Sequence, residues 1–211
     1  MSVSALGAAV AVLAAYLLGS VSGALLVGRL RGGIDIRTLG SGNAGGTNAL
    51  RTQGPWFALG VIAIDLGKGW LAAASLPALA LRFGVSQAWL PAACAFAAMA
   101  GHVWPVWHGF RGGKGAATLV GALLALAPAA LAVVLVAWLL TAITSGFVGL
   151  ASMVAAIVLP LYVWLARVAP FAPMCAFGIA AALLVIHTHR ANIARMRAGT
   201  EPRARRLWLF R

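Results

Sequence analysis

Apolar runs of about 20 residues recur along this chain, and that is the length an α-helix needs to cross the hydrocarbon core of a bilayer. They extend from Ala5 to Val27, from Trp56 to Leu81, from Trp89 to Trp107 and from Phe171 to Ile186, and a longer tract after Lys114 reaches Leu165. In lipid every backbone N–H and C=O must find its partner inside the protein, so such runs fold as helices. Charged residues make up only 9% of the 211 residues and hydrophobic ones 63%, whereas a soluble domain spends roughly a quarter on charge. Water is excluded as the main solvent. The expected fold class is all-α: a polytopic integral membrane helix bundle, with residues 1–211 forming a single transmembrane domain.

The long tract decides how many spans there are. A break near Thr144-Ser145-Gly146 gives six, and a second break at Pro128, where proline withholds a helix donor, gives seven. Charge arbitrates, because Lys and Arg collect on cytoplasmic loops. Arg29, Arg31, Arg37 and Arg51 follow the first span, and seven arginines between Arg190 and Arg211 follow the last. An N-terminus outside and a cytoplasmic C-terminus need an odd number of crossings, so seven transmembrane helices are expected. The segment from His102 to Lys114 and the turn from Ser145 to Ser152 then share the cytoplasmic side. Only Arg82 and Arg167 fall outside, while Lys68 lies within the second span.

A net charge of +13 fits that topology, with a further share for attraction to anionic lipid headgroups or an anionic substrate. No soluble basic module is present, which argues against nucleic acid as a partner. Cys94 and Cys175 sit in apolar stretches without metal-ligand spacing and read as packing residues. His187 and His189 point apart on a helix and have no carboxylate or thiolate set beside them, so no metal site is expected. The first 20 residues lack the basic start of a signal peptide and read as a retained helix. Asp65 and Lys68, three residues apart at membrane depth, are expected to form an intrahelical pair.

Chemistry concentrates in the breaks between spans. The segment Gly40-Ser41-Gly42-Asn43-Ala44-Gly45-Gly46-Thr47-Asn48-Ala49-Leu50-Arg51 packs glycines, small donors and one arginine together. Glycine lets backbone N–H groups converge on an anion, Ser41, Asn43, Thr47 and Asn48 add neutral donors, and Arg51 binds phosphate through two N–H groups. The segment from Gly101 to Thr118 carries Gly112-Gly113-Lys114-Gly115 directly before a helix. There the first N–H groups and the helix dipole favour an anion and Lys114 adds a full charge, although the Walker A spacing is missing. The interruption from Thr144 to Ser152 is polar but says little alone. At the end of the last span, His189 and Asn192 are i,i+3 neighbours on one helix face, and Glu201, expected among the substrate-binding residues, is the natural counter-ion for an arginine in one of these cytoplasmic loops.

Three of these segments together, GSGNAGGTNALR at Gly40 to Arg51, GHVWPVWHGFRGGKGAAT at Gly101 to Thr118 and HRANIARMRAGTE at His189 to Glu201, resemble one family. It is the bacterial, acyl-phosphate-dependent glycerol-3-phosphate acyltransferases, the PlsY family. The resemblance implies a seven-helix enzyme of the bacterial inner membrane with its site facing the cytoplasm. Its substrates would be glycerol 3-phosphate and acyl phosphate, the latter supplied from acyl carrier protein by a separate enzyme. The product would be 1-acyl-glycerol 3-phosphate, and no cofactor is implied. By motif position the family's site residues fall on Ser41, Arg51, Lys114 with its glycines, Ser152, His189 and Asn192. Where family members commonly show Ser-Leu-x-Ser, this chain has Gly149-Leu150-Ala151-Ser152, so only the second serine is carried over.

Acyl phosphate is a mixed anhydride with a good leaving group, so its acyl transfer needs mainly two phosphates held together and a hydroxyl placed on the acyl carbon. Arg51, Ser41, His189 and Asn192 are expected to hold the glycerol phosphate; Lys114, the Gly112, Gly113 and Gly115 amides and Ser152 are expected to hold the acyl phosphate. No Ser-His-Asp set, catalytic cysteine or HxxxxD motif is placed to form an acyl-enzyme. A transporter for a phosphorylated solute is the alternative, and the clustering of polar groups on one side of the membrane speaks against it.

Overall fold

The computed structural model describes residues 3–85, 87–205 and 207–210. Arg206 and Arg211, counted above in the basic tail, lie outside the described residues, as do Met1 and Ser2. All regular structure among the described residues is helical. The α-helices are α1 (Val3–Gly19), α2 (Gly23–Leu30), α3 (Gly46–Gln53), α4 (Pro55–Arg82), α5 (Leu90–Val103), α6 (Ala116–Leu126), α7 (Pro128–Ser145), α8 (Val148–Leu165), α9 (Phe171–Thr188) and α10 (Arg190–Arg197). The chain divides into two compact units, Met1–Leu126 and Ala127–Arg211.

Breaks in the long tract fall where residue chemistry placed them. Helix α7 starts on Pro128 and ends at a left-handed Gly146, whose N–H bonds the Ala142 carbonyl. Five helices are long and apolar enough to cross a bilayer: α4, the segment Leu90–His108 that contains α5, α7, α8 and α9. The expected first span is instead broken, its two halves α1 and α2 meeting at 46°, and the pair makes a sixth if counted as one. Helix α6, with 11 residues, is about 16 Å long, roughly half the hydrocarbon thickness.

The break between α1 and α2 follows from Gly19-Ser20-Val21-Ser22-Gly23. The Ser20 hydroxyl donates back to Tyr16 O at 2.9 Å, and the Ser22 side chain accepts from Leu25 N at 3.4 Å to cap α2. Hydroxyls thus compete for backbone groups that a continuous helix would pair. The first unit is then drawn together by small residues. Ala15, Ala72, Cys94 and Ala98 lie buried in one cluster, with the cysteine acting as a small hydrophobe, while Cys175 is half-buried. Between α4 and α6 the approach is closer still: a Cβ on Gly121 would stand 2.8 Å from the Leu66 carbonyl carbon. Such close helix contacts are the usual source of cohesion where lipid removes the hydrophobic driving force.

In the second unit α7 packs on α8, and α8 on α9, with Pro160 of α8 seated against Gly178 of α9. The chain after α10 returns to the α7–α8 turn. Ala204 N donates to Gly146 O at 2.8 Å, Leu209 N to Ile143 O at 3.0 Å, and the Trp208 ring N–H to Thr144 O at 3.2 Å. The Arg203 guanidinium lies over the Phe147 and Trp208 rings at 4.8 and 3.9 Å.

The α4–α6 contact yields a stability prediction. Gly121→Val should overpack it at a cost of about 1–3 kcal/mol, lowering the melting midpoint in detergent, whereas Leu124→Val on the exposed face of α6 should leave the midpoint nearly unchanged.

Candidate active site

Within the first unit, the segment from Gly40 to Arg51 is built around one buried amide. The Asn48 Nδ2 group donates to Ile36 O, Leu39 O and Asn43 O at 3.0, 3.0 and 3.1 Å, while its Oδ1 accepts from Ser41 N at 3.0 Å. Asn48 was expected to bind substrate, but its donors and acceptor are engaged in folding the loop. Ser41, Thr47 and Arg51 are exposed, Asn43 is half-buried, and α3 carries Thr47 and Arg51.

A second brace ties this segment to the next. The Asp35 carboxylate receives Arg37 Nε at 3.0 Å and Arg37 Nη2 at 2.8 Å, and Arg37 Nη1 donates to His108 O at 3.0 Å and Arg111 O at 3.3 Å. Hydrogen bonding from Arg37 holds the Asp35 carboxyl below the usual carboxylate range, and the Asp35 bond in turn raises Arg37. A depressed folded pKa stabilises above the unfolded value of about 3.9 and loses its effect as pH falls through the lower folded value. The clasp is therefore fully charged at neutral pH. In the sequence Arg37 reads only as a topological charge, because its carbonyl partners lie more than 70 residues away.

The Gly112–Lys114 segment doubles back on the end of α5: Gly112 N donates to Val103 O and Gly113 N to His102 O, both at 3.1 Å. Lys114 is half-buried and is followed by Gly115, whose φ of +85° suits a residue without a side chain. Helix α6 begins at the next residue, so its first N–H groups and Lys114 share one neighbourhood. A Cβ on Gly113 would stand 3.0 Å from Ala44 O of the first segment and 2.7 Å from the His102 Cε1. The two glycine segments thus meet at Gly113. Beneath them lies a buried polar cluster, in which Lys68 Nζ reaches Asp65 Oδ1 at 2.9 Å and His102 Nδ1 at 2.8 Å. The expected Asp65–Lys68 pair is present, with a histidine that spacing alone could not supply.

In the second unit His189 and Asn192 do not share one continuous helix as expected. His189 is the joint between α9 and α10, its ring Nδ1–H donating to Val185 O at 2.7 Å. Asn192, one turn into α10, donates to Glu201 Oε1 at 2.7 Å, and the other Glu201 oxygen receives Arg195 Nε at 2.7 Å. Glu201 thus acts as the expected arginine counter-ion and also fixes the Asn192 amide. The Ser152 hydroxyl donates to Val148 O at 3.0 Å and accepts from the Trp138 ring N–H at 3.3 Å. Gly149, one turn before Ser152, lies against Asn192: a Cβ there would stand 2.8 Å from its Nδ2 and 3.1 Å from its Cβ. The serine missing from the third motif has no room while Asn192 is held as it is. Among the described residues no group of His, Cys, Asp and Glu could hold a metal ion.

Comparison with known proteins bears on what these loops do. A model of the family described as glycerol-3-phosphate acyltransferase matches residues 9–199. A glycerol-3-phosphate acyltransferase of Synechococcus sp. (strain JA-2-3B'a(2-13)) is 44% identical over 204 residues, covering 96% of this chain and 98% of that one. The Chromobacterium violaceum protein of the same description is 38% identical over 190 residues, covering 90% and 91%. Two crystal structures of PlsY (YgiH), an integral membrane glycerol 3-phosphate acyltransferase, superpose with TM-scores of 0.83 and 0.81 at 34% and 33% identity. Each covers 93% of this chain and 94% of the other; one is the glycerol 3-phosphate form and the other the lysophosphatidic acid form.

Two substitutions follow from the braces. Arg37→Ala should free the 108–111 turn and lower any activity of the neighbouring loops about tenfold, read as steady-state turnover at unchanged helix content by circular dichroism. Gly149→Ser should displace the Asn192 amide from Glu201 and reduce turnover several-fold, with Gly149→Ala behaving alike because the Cβ alone makes the contact.

Proposed function

Because this chain belongs to the glycerol-3-phosphate acyltransferase family, we propose that it moves a fatty acyl group from acyl phosphate to the sn-1 hydroxyl of glycerol 3-phosphate. It is a multi-pass membrane acyltransferase acting on glycerol 3-phosphate. The ester C–O bond forms as the acyl–phosphate bond breaks, the hydroxyl proton passes to the departing phosphate, and the products are 1-acyl-glycerol 3-phosphate and inorganic phosphate.

One observation carries the reading: two glycine segments meet at Gly113, one presenting the exposed donors Ser41, Thr47 and Arg51, the other placing Lys114 just before the first N–H groups of α6. Two phosphates are what such a surface suits, since both reactants carry one. Lys114 and the Gly112, Gly113 and Gly115 amides stabilise the charge that grows on the leaving phosphate. Arg51 and Ser41 hold the glycerol phosphate, with Asn43 and Thr47 as further donors. Asn48 acts by shaping the loop. In the second unit, His189, Asn192 and Ser152 serve the same reaction, and Glu201 acts through Asn192.

The acyl donor comes from acyl carrier protein by a separate enzyme, and transfer is direct, without an acyl-enzyme. Counting the bent α1–α2 pair and the short α6 as one crossing each, the chain crosses the bacterial inner membrane seven times with its N-terminus outside, and its substrate loops face the cytoplasm; the excess of arginine in the loops supports that orientation.

Purified protein incubated with glycerol 3-phosphate and labelled acyl phosphate should yield labelled lysophosphatidic acid, and acyl-CoA or acyl carrier protein should yield none. Product from no donor at all would remove the enzyme reading, and a labelled acyl-protein adduct formed without acceptor would remove direct transfer. Lys114→Ala should lower kcat by around 10²-fold or more.

A further inference from the structure

We propose that His102 is a positioning residue for Lys114, its ring clamped from behind by Lys68 and pressed forward against Gly113. The inference rests on the acyl-transfer reading for its kinetic test but is drawn from a cluster that reading does not use.

Lys68, Asp65 and His102 are each at least 95% buried, with relative exposures of 3%, 1% and 5%. Three polar atoms surround the Lys68 Nζ: Val21 O at 2.7 Å, His102 Nδ1 at 2.8 Å and Asp65 Oδ1 at 2.9 Å. His102 Nδ1 also lies 3.4 Å from Asp65 Oδ1, so this edge of the ring is held by both members of the ion pair while Nε2 is on the opposite edge. That edge of the ring faces the loop, since a Cβ built on Gly113 would stand 2.7 Å from Cε1 and closer still to Nε2. The His102 carbonyl accepts from Gly113 N at 3.1 Å, so the residue grips Gly113 by backbone and side chain together. Lys114 is the next residue. A ring fixed on one edge by a buried ammonium and packed on the other against glycine sets where Lys114 leaves the loop, to within the tolerance that phosphate chemistry demands.

Two substitutions divide the ring's two edges. His102→Asn keeps a polar group near Nδ1 for the Lys68–Asp65 pair and removes the edge against Gly113; His102→Gln keeps a polar group near Nε2. The expected results are a loss of about 10-fold to 100-fold in kcat/KM for His102→Asn, a smaller loss for His102→Gln, and melting midpoints close to that of the parent. The decisive measurement is a double-mutant cycle. Because His102 acts through Lys114, adding His102→Asn to Lys114→Ala should cost little further activity, whereas an unrelated structural role would multiply the two losses. Full activity in His102→Asn, or losses that multiply, would overturn the proposal. Should His102→Asn fail to fold, Gly113→Ala, which pushes on the same contact from the loop side, replaces it in the cycle with the same expectation. If the parent protein transfers no acyl group from any donor, the acyltransferase reading fails by itself. Binding of inorganic phosphate, the group assigned to Lys114, by calorimetry then decides: a weaker Kd in His102→Asn supports the positioning role and an unchanged Kd refutes it.

Discussion

The break in the first span and the buried polar cluster behind Gly113 are organised around the ammonium of Lys68. An ionised side chain at bilayer depth costs on the order of 3 kcal/mol, and here it answers a second cost of the same kind. Breaking the first span at Ser20–Ser22 strips intrahelical partners from Val21 O and Gly23 N, and each unsatisfied group in hydrocarbon costs several kcal/mol. Lys68 donates to Val21 O, and Asp65 Oδ1 accepts from Gly23 N at 3.3 Å. The helix break and the buried ion pair therefore cancel each other's penalties. Neither would be stable alone, and removing one partner would leave the other charge stranded.

The remaining polar residues follow a similar rule, in which a buried group is engaged by the fold and an exposed one is left at the surface. Asn48 draws three carbonyls inward, and Ser41, Thr47 and Arg51 are left on the outside. Arg37 anchors the turn that precedes Gly112-Gly113-Lys114. In the second unit Glu201 holds Asn192 and Arg195, and the chain that follows it closes over the α7–α8 turn. Groups ordered at folding would need little further ordering to bind a ligand.

What was legible in the sequence was local. Hydropathy gave the long helices, Pro128 and Gly146 gave the cuts between them, and i,i+3 spacing gave the Asp65–Lys68 pair, because each signal lies within one or two turns of chain. The break in the first span was hidden, since Ser-Val-Ser sits in an apolar run and its stability depends on partners more than 40 residues away. The same distance hid His102 behind Lys68 and the carbonyls behind Arg37. Asn48 and Glu201 were recognised as site residues by motif, but only coordinates reveal that their polar atoms face other protein groups. His189 and Asn192 were placed on one helix because nothing in their spacing announces a joint between α9 and α10.

The inward turn of the Asn48-bound carbonyls has a consequence for selectivity. With Ile36 O, Leu39 O and Asn43 O each turned to the Asn48 amide, this part of the loop has fewer acceptors left for an approaching molecule, a balance that would favour a phosphate over the alcohol attached to it. A surface of that kind would not distinguish a phosphate ester from the inorganic phosphate that the proposed reaction would release. The departing phosphate would compete with incoming substrate for the same donors, and turnover would slow as phosphate accumulates on the side of the membrane where the loops lie.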